Sequence, residues 1–174
     1  MNRRVVPFSQ IRVQPVSTSG EWQVATLLGS ELRGWLTSQL GREAAVVAQE
    51  DARAELDDLA ACYAFPHGIF LLGRVEGHAA GTAGIRLLDD QTAELKRVWV
   101  SPRHRSKGLA RVLLARSLDS ARTLGATRVV VETDPVIMSS AVRMCREHGF
   151  REAAAYSTLP ERVPSVLTMA KRVA

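Results

Sequence analysis

Cysteine is scarce in this 174-residue chain: Cys62 and Cys145 stand far apart and form no CxxC pair. Two thiols so placed do not demand a disulfide, and a reduced, cytoplasmic setting is the simplest expectation. Aromatic residues are also few, at 5% of the chain, which leaves little to stack against nucleobases. The net charge of +5 comes mainly from arginines that are dispersed rather than gathered into a block. A nucleic-acid partner is therefore not expected, and an anionic small molecule explains the balance as well. No apolar run approaches the length of a membrane span, and the opening MNRRVVPFSQ has two arginines with no apolar core behind them. Neither a membrane partner nor a secretory signal is expected. The four histidines (His67, His78, His104, His148) lack ligand spacing such as HExxH, so no metal site is expected. Internal repeats and low-complexity tracts are absent, and a chain of this length with 46% apolar content suits one soluble domain.

What is present centres on one stretch, LKRVWVSPRHRSKGLARVLL, from Leu95 to Leu114. It begins as an apolar strand (Leu95, Val98, Trp99, Val100) that Ser101-Pro102 ends. A basic loop, Arg103 to Lys107, leads to Gly108, and a helix follows with apolar residues at Ala110, Leu113, Leu114, Leu118, Ala121 and Leu124. That spacing places one helix face in a core. First-turn amides have no partner inside a helix, and the helix dipole favours negative charge there. Gly108 carries no Cβ to keep a phosphate away, and Arg105 and Lys107 add charge. The stretch therefore reads as a diphosphate site, although it is neither a P-loop (GxxxxGK followed by Ser or Thr) nor a dinucleotide GxGxxG turn.

Around it the chain divides as follows. Residues 1–10 read as a peripheral tail, and 11–174 as a single domain. Ile11 to Val16 alternate as a strand, and Ser17-Thr18-Ser19-Gly20 caps a helix over about 21–40, which Gly29 and Gly34 weaken into two pieces and Gly41 stops. A second helix over about 42–61 carries Glu50, Asp51, Arg53, Glu55, Asp57 and Asp58 on a solvated face. After a turn at 63–68, strands 69–75 and 78–88 are joined by the hairpin signal Glu76-Gly77. Gly81 and Gly84 mark a bulge or a close approach to ligand. Thr92 to Val100 is the next strand, and Arg128 to Thr133, rich in valine, is a buried strand parallel to it through a right-handed crossover. A helix ending at Gly149 and a closing strand pair, about 150–155 and 165–172, complete the order.

Arg105-Ser106-Lys107-Gly108-Leu109-Ala110 fits the pattern Arg/Gln-x-x-Gly-x-Gly/Ala. It resembles the acetyl-coenzyme A pyrophosphate loop of the GCN5-related N-acetyltransferases (GNAT), and the element order and the closing Gly149-Phe150 extend the resemblance over about residues 11–172. The resemblance implies an α/β (α+β) acyl-CoA N-acyltransferase fold: a mixed, mostly antiparallel sheet with one splayed parallel strand pair, flanked by helices. It implies acetyl-CoA as co-substrate, with no metal, and transfer of the acetyl group to a primary amine of a small molecule or peptide. The cofactor would be held by Arg105, Ser106, Lys107, Gly108, Leu109 and Ala110, by the backbone of Val98, Trp99 and Val100, and by Ser139 and Cys145 of the later helix.

Such a transfer needs an amine freed of its proton, a stabilised carbonyl oxygen and a protonated leaving thiolate. By the same resemblance Glu94 is the general base, with Glu132 on the neighbouring strand as an alternative. Many members carry a tyrosine acid at the position of Cys145, and a cysteine is a poor substitute, so Tyr156 takes the acid role here unless no acid is used. Tyr63 and His67, with Glu94, are candidates for acceptor contact. The departure at Cys145 keeps a non-catalytic CoA-binding module open as the alternative function. The acceptor itself (metabolite, drug-like amine, peptide N-terminus or lysine) and a homodimeric state are not fixed by the sequence.

Overall fold

A computed structural model of the chain describes residues 10–40, 53, 55–157 and 159–173. Strand β1 (Ile11–Pro15) leads into helix α1 (Ser19–Gln39). The Thr18 hydroxyl accepts from the Glu21 amide at 3.2 Å, and the Glu21 carboxylate accepts from the Ser17 and Thr18 amides. This capping box satisfies donors that the first turn cannot pair internally. Contrary to the sequence expectation, α1 runs unbroken through Gly29 and Gly34. Gly29 has a packing reason: a Cβ there would come within 2.5 Å of the Leu56 side chain.

The second expected helix lies largely outside the described residues; what is described includes Glu55 and the short helix α2 (Leu59–Cys62), capped by the Asp58 carboxylate. A meander follows: β2 (Gly68–Val75), β3 (His78–Leu87) and β4 (Thr92–Val100). Glu76 and Gly77 both take positive φ, at 53° and 82°, as a two-residue hairpin loop matched to strand twist requires. Then come α3 (Leu109–Thr123), β5 (Arg128–Thr133), α4 (Ser139–Glu147), β6 (Arg151–Glu152), α5 (Leu159–Arg162) and β7 (Leu167–Arg172). The closing pair is shorter than expected because the chain leaves β6 after Glu152 and crosses back toward β4.

The seven strands form one sheet in the order β1-β2-β3-β4-β5-β7-β6, and β4–β5 is its parallel pair. On one face the α3 residues Leu109, Leu113, Leu114 and Leu118 pack against Val75, Ile85, Ala93, Leu95, Val129 and Val131. Burying each such leucine stabilises the fold by about 1.5–3 kcal/mol relative to leaving it in water. On the other face Leu28 and Leu32 of α1 meet Leu72 and Trp99. Gly81 and Gly84 serve this packing and not ligand approach. A side chain at Gly84 would strike the Tyr63 ring, and one at Gly81 would strike the Trp99 carbonyl and Leu109. The expected bulge is present beside them: the β3–β4 register shifts between Thr82 and Gly84.

Candidate active site

The site begins where β4 and β5 part. They pair at Thr92–Arg128, Ala93–Val129 and Glu94–Val130, and no further. Beyond Glu94, β4 stays with β3 while all of β5 stays with β7, so the edge of β4 that faces β5 leaves the ladder from Leu95 onward. Within the same span β4 bulges. Thr82 opposes Trp99 and Gly84 opposes Lys96, so three steps on β4 match two on β3. Arg97 in the bulge has φ 56°, and its carbonyl accepts from the Thr82 hydroxyl at 3.0 Å. Uninterrupted alternation would send Lys96 and Arg97 to opposite faces. The bulge instead brings both to Glu55, at 3.8 and 2.8 Å.

A pocket of about 170 Å3 fills the gap between the strands. Leu95, Val98, Leu114, Val131, Met144 and Cys145 line it on the α3–α4 side. Leu32, Leu36, Leu40, Leu159, Val163 and Val166 line it on the α1–α5 side, with Lys96, Arg97, Glu132 and Asp134 at the polar margin. Thr133, at the end of β5, also lines it; among the described residues its buried hydroxyl has no hydrogen-bond partner. A buried hydroxyl without a partner is unfavourable unless a ligand supplies one.

Beneath this pocket lies a network of charge. Glu94 is 3% exposed and does not line the pocket itself. Arg86 Nε donates to its Oε2 at 2.7 Å, and the Tyr156 hydroxyl donates to its Oε1 at 2.9 Å. Burial pushes the Arg86 guanidinium down, but the Glu94 carboxylate more than reverses this and holds it above its ordinary value. Burial and the Glu94 charge push the Tyr156 phenol far up, so Tyr156 stays a proton donor. Glu55 accepts from Arg97 in a bidentate pair at 2.9 and 2.8 Å and from the Tyr63 hydroxyl at 2.5 Å. Burial pushes Glu55 up, and the Arg97 bonds overcome it and bring it below the carboxylate range. Glu132 is raised, first by burial and also by the charge of Glu94, while Ser157 and Thr168 donate to it.

The basic loop lies at the opposite end of β4. Gly108, at φ 92°, is the N-cap of α3, and no side chain caps that helix start. Ser106 also takes a positive φ, 62°, and Leu109 is buried under β2 and β3. The first-turn amides from Leu109 and Ala110 therefore open toward the loop. The Arg105 guanidinium stacks over the rings of Trp99 and Trp35, at 4.7 and 5.6 Å, and its Nε donates to the Val100 carbonyl at 3.1 Å. Lys107 lies 3.9 Å from Glu76.

The structure thus brings Glu94 together with Tyr156, and Val98 with the open edge of β4. Trp99 turns to α1, where its indole donates to Glu31 at 3.2 Å, and only the backbone of Trp99 and Val100 serves the cleft edge. Cys145 lines the pocket as a core residue, and burial pushes its thiol up to about 11. Ser139, the first residue of α4, is exposed, whereas Met138 beside it lines the pocket. Two expectations need correction. Tyr63 is 2% exposed, packed on Phe70 and bonded to Glu55, so it is a core residue and not an acceptor contact; His67 is exposed on its turn and does not line the pocket. Glu55 is not on a solvated face but is buried against Arg97. Sequence reasoning also passed over Arg86, Arg97 and Thr133. The leucine stripe Leu32-Leu36-Leu40 was detectable by its four-residue spacing.

Residues 31–150 match the family described as Acetyltransferase (GNAT). A probable N-acetyltransferase of Mus musculus, family 8 member 5, is 30% identical over 112 residues, which is 62% of this chain and 49% of the mouse protein. The chain thus spans about half the length of that relative. An acetyltransferase structure from Streptococcus agalactiae superposes with a TM-score of 0.73 at 19% identity, over 95% of this chain and 99% of its own. Spermidine N-acetyltransferase from Vibrio cholerae, solved with CoA and spermine, gives 0.63 at 17% identity, over 95% and 96%. At such identities the structures establish the fold alone. Among the described residues no group of acidic, histidine or cysteine side chains could hold a metal ion, and no helix is long and apolar enough to cross a membrane.

Proposed function

The chain belongs to the acetyltransferase (GNAT) family, and from that premise we propose that it transfers the acetyl group of acetyl-CoA to a primary amine by direct attack. The observation that carries this reading is the buried Glu94–Tyr156 pair, 2.9 Å apart, at the point where β4 and β5 separate. The residues present fit the co-substrate. Gly108 and the amides of Leu109 and Ala110 would take the diphosphate, with Arg105, Ser106 and Lys107 around it. The backbone from Val98 to Val100 and the Thr133 hydroxyl, which has no partner among the described residues, would take the pantetheine arm, with Ser139 and Cys145 on the α4 side.

In the transfer itself, the bulged backbone at Val98 donates to the carbonyl oxygen as that oxygen gains charge. Glu94, lying beneath the pocket, takes the amine proton through a bridging water. The nitrogen–carbon bond forms and the carbon–sulfur bond breaks. Tyr156 gives its proton to the departing sulfur and regains one from Glu94, so protons balance over the cycle. Cys145 takes no part, since its raised thiol is packed in the core.

Glu132 supports a second assignment of the base. It lines the pocket directly, and burial with the nearby Glu94 charge raises its pKa, which suits proton uptake nearer neutral pH. Thiol release from acetyl-CoA with a set of primary amines tests the transfer. Turnover is expected, whereas acetyl-CoA binding with no release on any amine leaves a non-catalytic CoA-binding module. Glu94→Gln and Glu132→Gln then separate the two bases. The true base variant loses turnover most at low pH with unchanged acetyl-CoA affinity, and the other keeps the parental pH profile.

A further inference from the structure

The α1–α5 side of the pocket has a composition that bears on the acceptor, an inference that rests on the acetyl-transfer reading. The diphosphate cradle stands at the start of α3, so the acyl carrier approaches from the α3–α4 side of the sheet. The amine then meets it from the α1–α5 side. There Leu32 and Leu36 of α1 and its cap residue Leu40, spaced by four, line the pocket together with Leu159, Val163 and Val166. Among the described residues two carboxylates line the pocket at its polar margin, Glu132 and Asp134, and Glu132 is the less engaged: its Oε1 meets only the Thr168 hydroxyl, at 3.4 Å, whereas Asp134 accepts from the Val136 amide at 2.8 Å and from the Ser165 hydroxyl at 2.6 Å. Glu55 is committed to Arg97 and Tyr63, and Glu94 to Arg86 and Tyr156. Lys96 and Arg97 stand at the same margin.

We infer that the acceptor is a primary amine carried on an apolar aliphatic or aromatic body, and not a polyamine. The ammonium lies against Glu132, and the apolar body fills the space between α1 and α5. A second ammonium on the same molecule would be driven against six aliphatic side chains, or against Lys96 and Arg97, with no uncommitted carboxylate among the described residues to pair it. Burying an unpaired charge is far less favourable than burying methylenes.

The test is kcat/KM for thiol release with acetyl-CoA over the linear alkylamines from ethylamine to hexylamine, with putrescine and spermidine alongside. Alkylamines and diamines of equal length have similar basicity, so the comparison isolates the pocket. The alkyl series is expected to rise roughly fourfold per added methylene until the pocket is full. Putrescine is expected to fall ~100-fold or more below pentylamine. Leu36→Asp, at a half-buried position on the wall, is expected to flatten the alkyl series and raise the diamine; Val166→Asp serves the same purpose if the first variant does not fold. A flat alkyl series, or a diamine or polyamine equal to the best alkylamine, overturns the acceptor assignment and leaves acetyl transfer standing. No thiol release with any amine overturns the transfer reading itself, and this inference with it.

Discussion

Replacing Glu55 by glutamine removes the negative charge that three cations share. Arg97 binds it in two hydrogen bonds, Lys96 lies 3.8 Å away and Arg86 4.0 Å away. Arg97 is 8% exposed and its guanidinium cannot be deprotonated, so its charge stays buried without its bidentate partner. Breaking a buried pair in this way destabilises by about 3–5 kcal/mol. Glutamine keeps one carbonyl oxygen for either Arg97 or the Tyr63 hydroxyl, which places the expected loss near the lower end, ~3 kcal/mol. Against a total stability of about 5–15 kcal/mol, that lowers the melting temperature by roughly 6–12 °C. Arg97 also sits in the bulge next to Val98, whose amide is the one proposed to meet the thioester carbonyl. Displacing that amide should reduce kcat by up to ~100-fold. The KM for acetyl-CoA should change less than kcat, since the diphosphate cradle at Gly108 lies at the far end of β4. The double variant Glu55→Gln/Arg97→Met should recover much of the stability, because the most buried of the three cations is gone, but not the turnover. Urea unfolding and saturation kinetics measure both quantities. A Glu55→Gln protein within about 1 kcal/mol of the parent, the scale of an exposed ion pair, and with full kcat would refute the clamp.

Tyr156→Phe should lower kcat by about 100-fold or more, with acetyl-CoA affinity unchanged, if its hydroxyl protonates the leaving sulfur; calorimetric titration and saturation kinetics separate the two. Gly108→Val should weaken acetyl-CoA binding at least ~10-fold, because a branched residue is strained at φ 92° and its side chain crowds the phosphate approach; circular dichroism checks that the variant folds. The Cys145 thiol, raised by burial from its ordinary value of 9.0 to about 11, stabilises the fold below pH 9 and loses that contribution as pH rises through 11. Cys145→Ala should therefore unfold with a shallower alkaline decline, the gap between the two proteins closing by ~2–3 kcal/mol in denaturant titrations across that window. Glu21, held at about 2 first by the Ser17 amide, contributes above its ordinary 4.5 and loses that contribution as pH falls toward 2. Glu21→Gln should flatten the acid limb of thermal stability between those two values.

Elements that depend on local rules were legible in the chain. The valine run of β5, the hairpin at Glu76-Gly77 and the glycine opening α3 each follow from residues within a few positions of one another, and each is found. Gly29 and Gly34 misled for the opposite reason. A glycine weakens an isolated helix, but Leu56 packs where the Gly29 side chain would be, and tertiary contact overrides propensity. The same holds for Tyr63. Its turn position suggests exposure, yet Gly84, 21 positions on, leaves the space that its ring fills. Nothing within either local window announces that pairing.

The site shows the same division more sharply, and the division has a physical cause. The cradle is a backbone device, so six adjacent residues specify it. The charge network is built from pairs 42, 62 and 8 positions apart, Arg97 to Glu55, Tyr156 to Glu94 and Arg86 to Glu94, and only the sheet brings them together. One insertion in β4 links the two. By adding a residue opposite Ala83, the bulge turns Lys96 and Arg97 to the same face and so calls for a carboxylate, which Glu55 provides. It also lies directly after the last β4–β5 pair, where Glu94 sits and the pocket opens. A buried carboxylate at each end of a three-residue deformation fixes the backbone there in one geometry, since either partner left unpaired is strongly unfavourable. Glu55, which sequence reasoning assigned to a solvated face, is thus one of the residues that fix the strand geometry where the cleft opens.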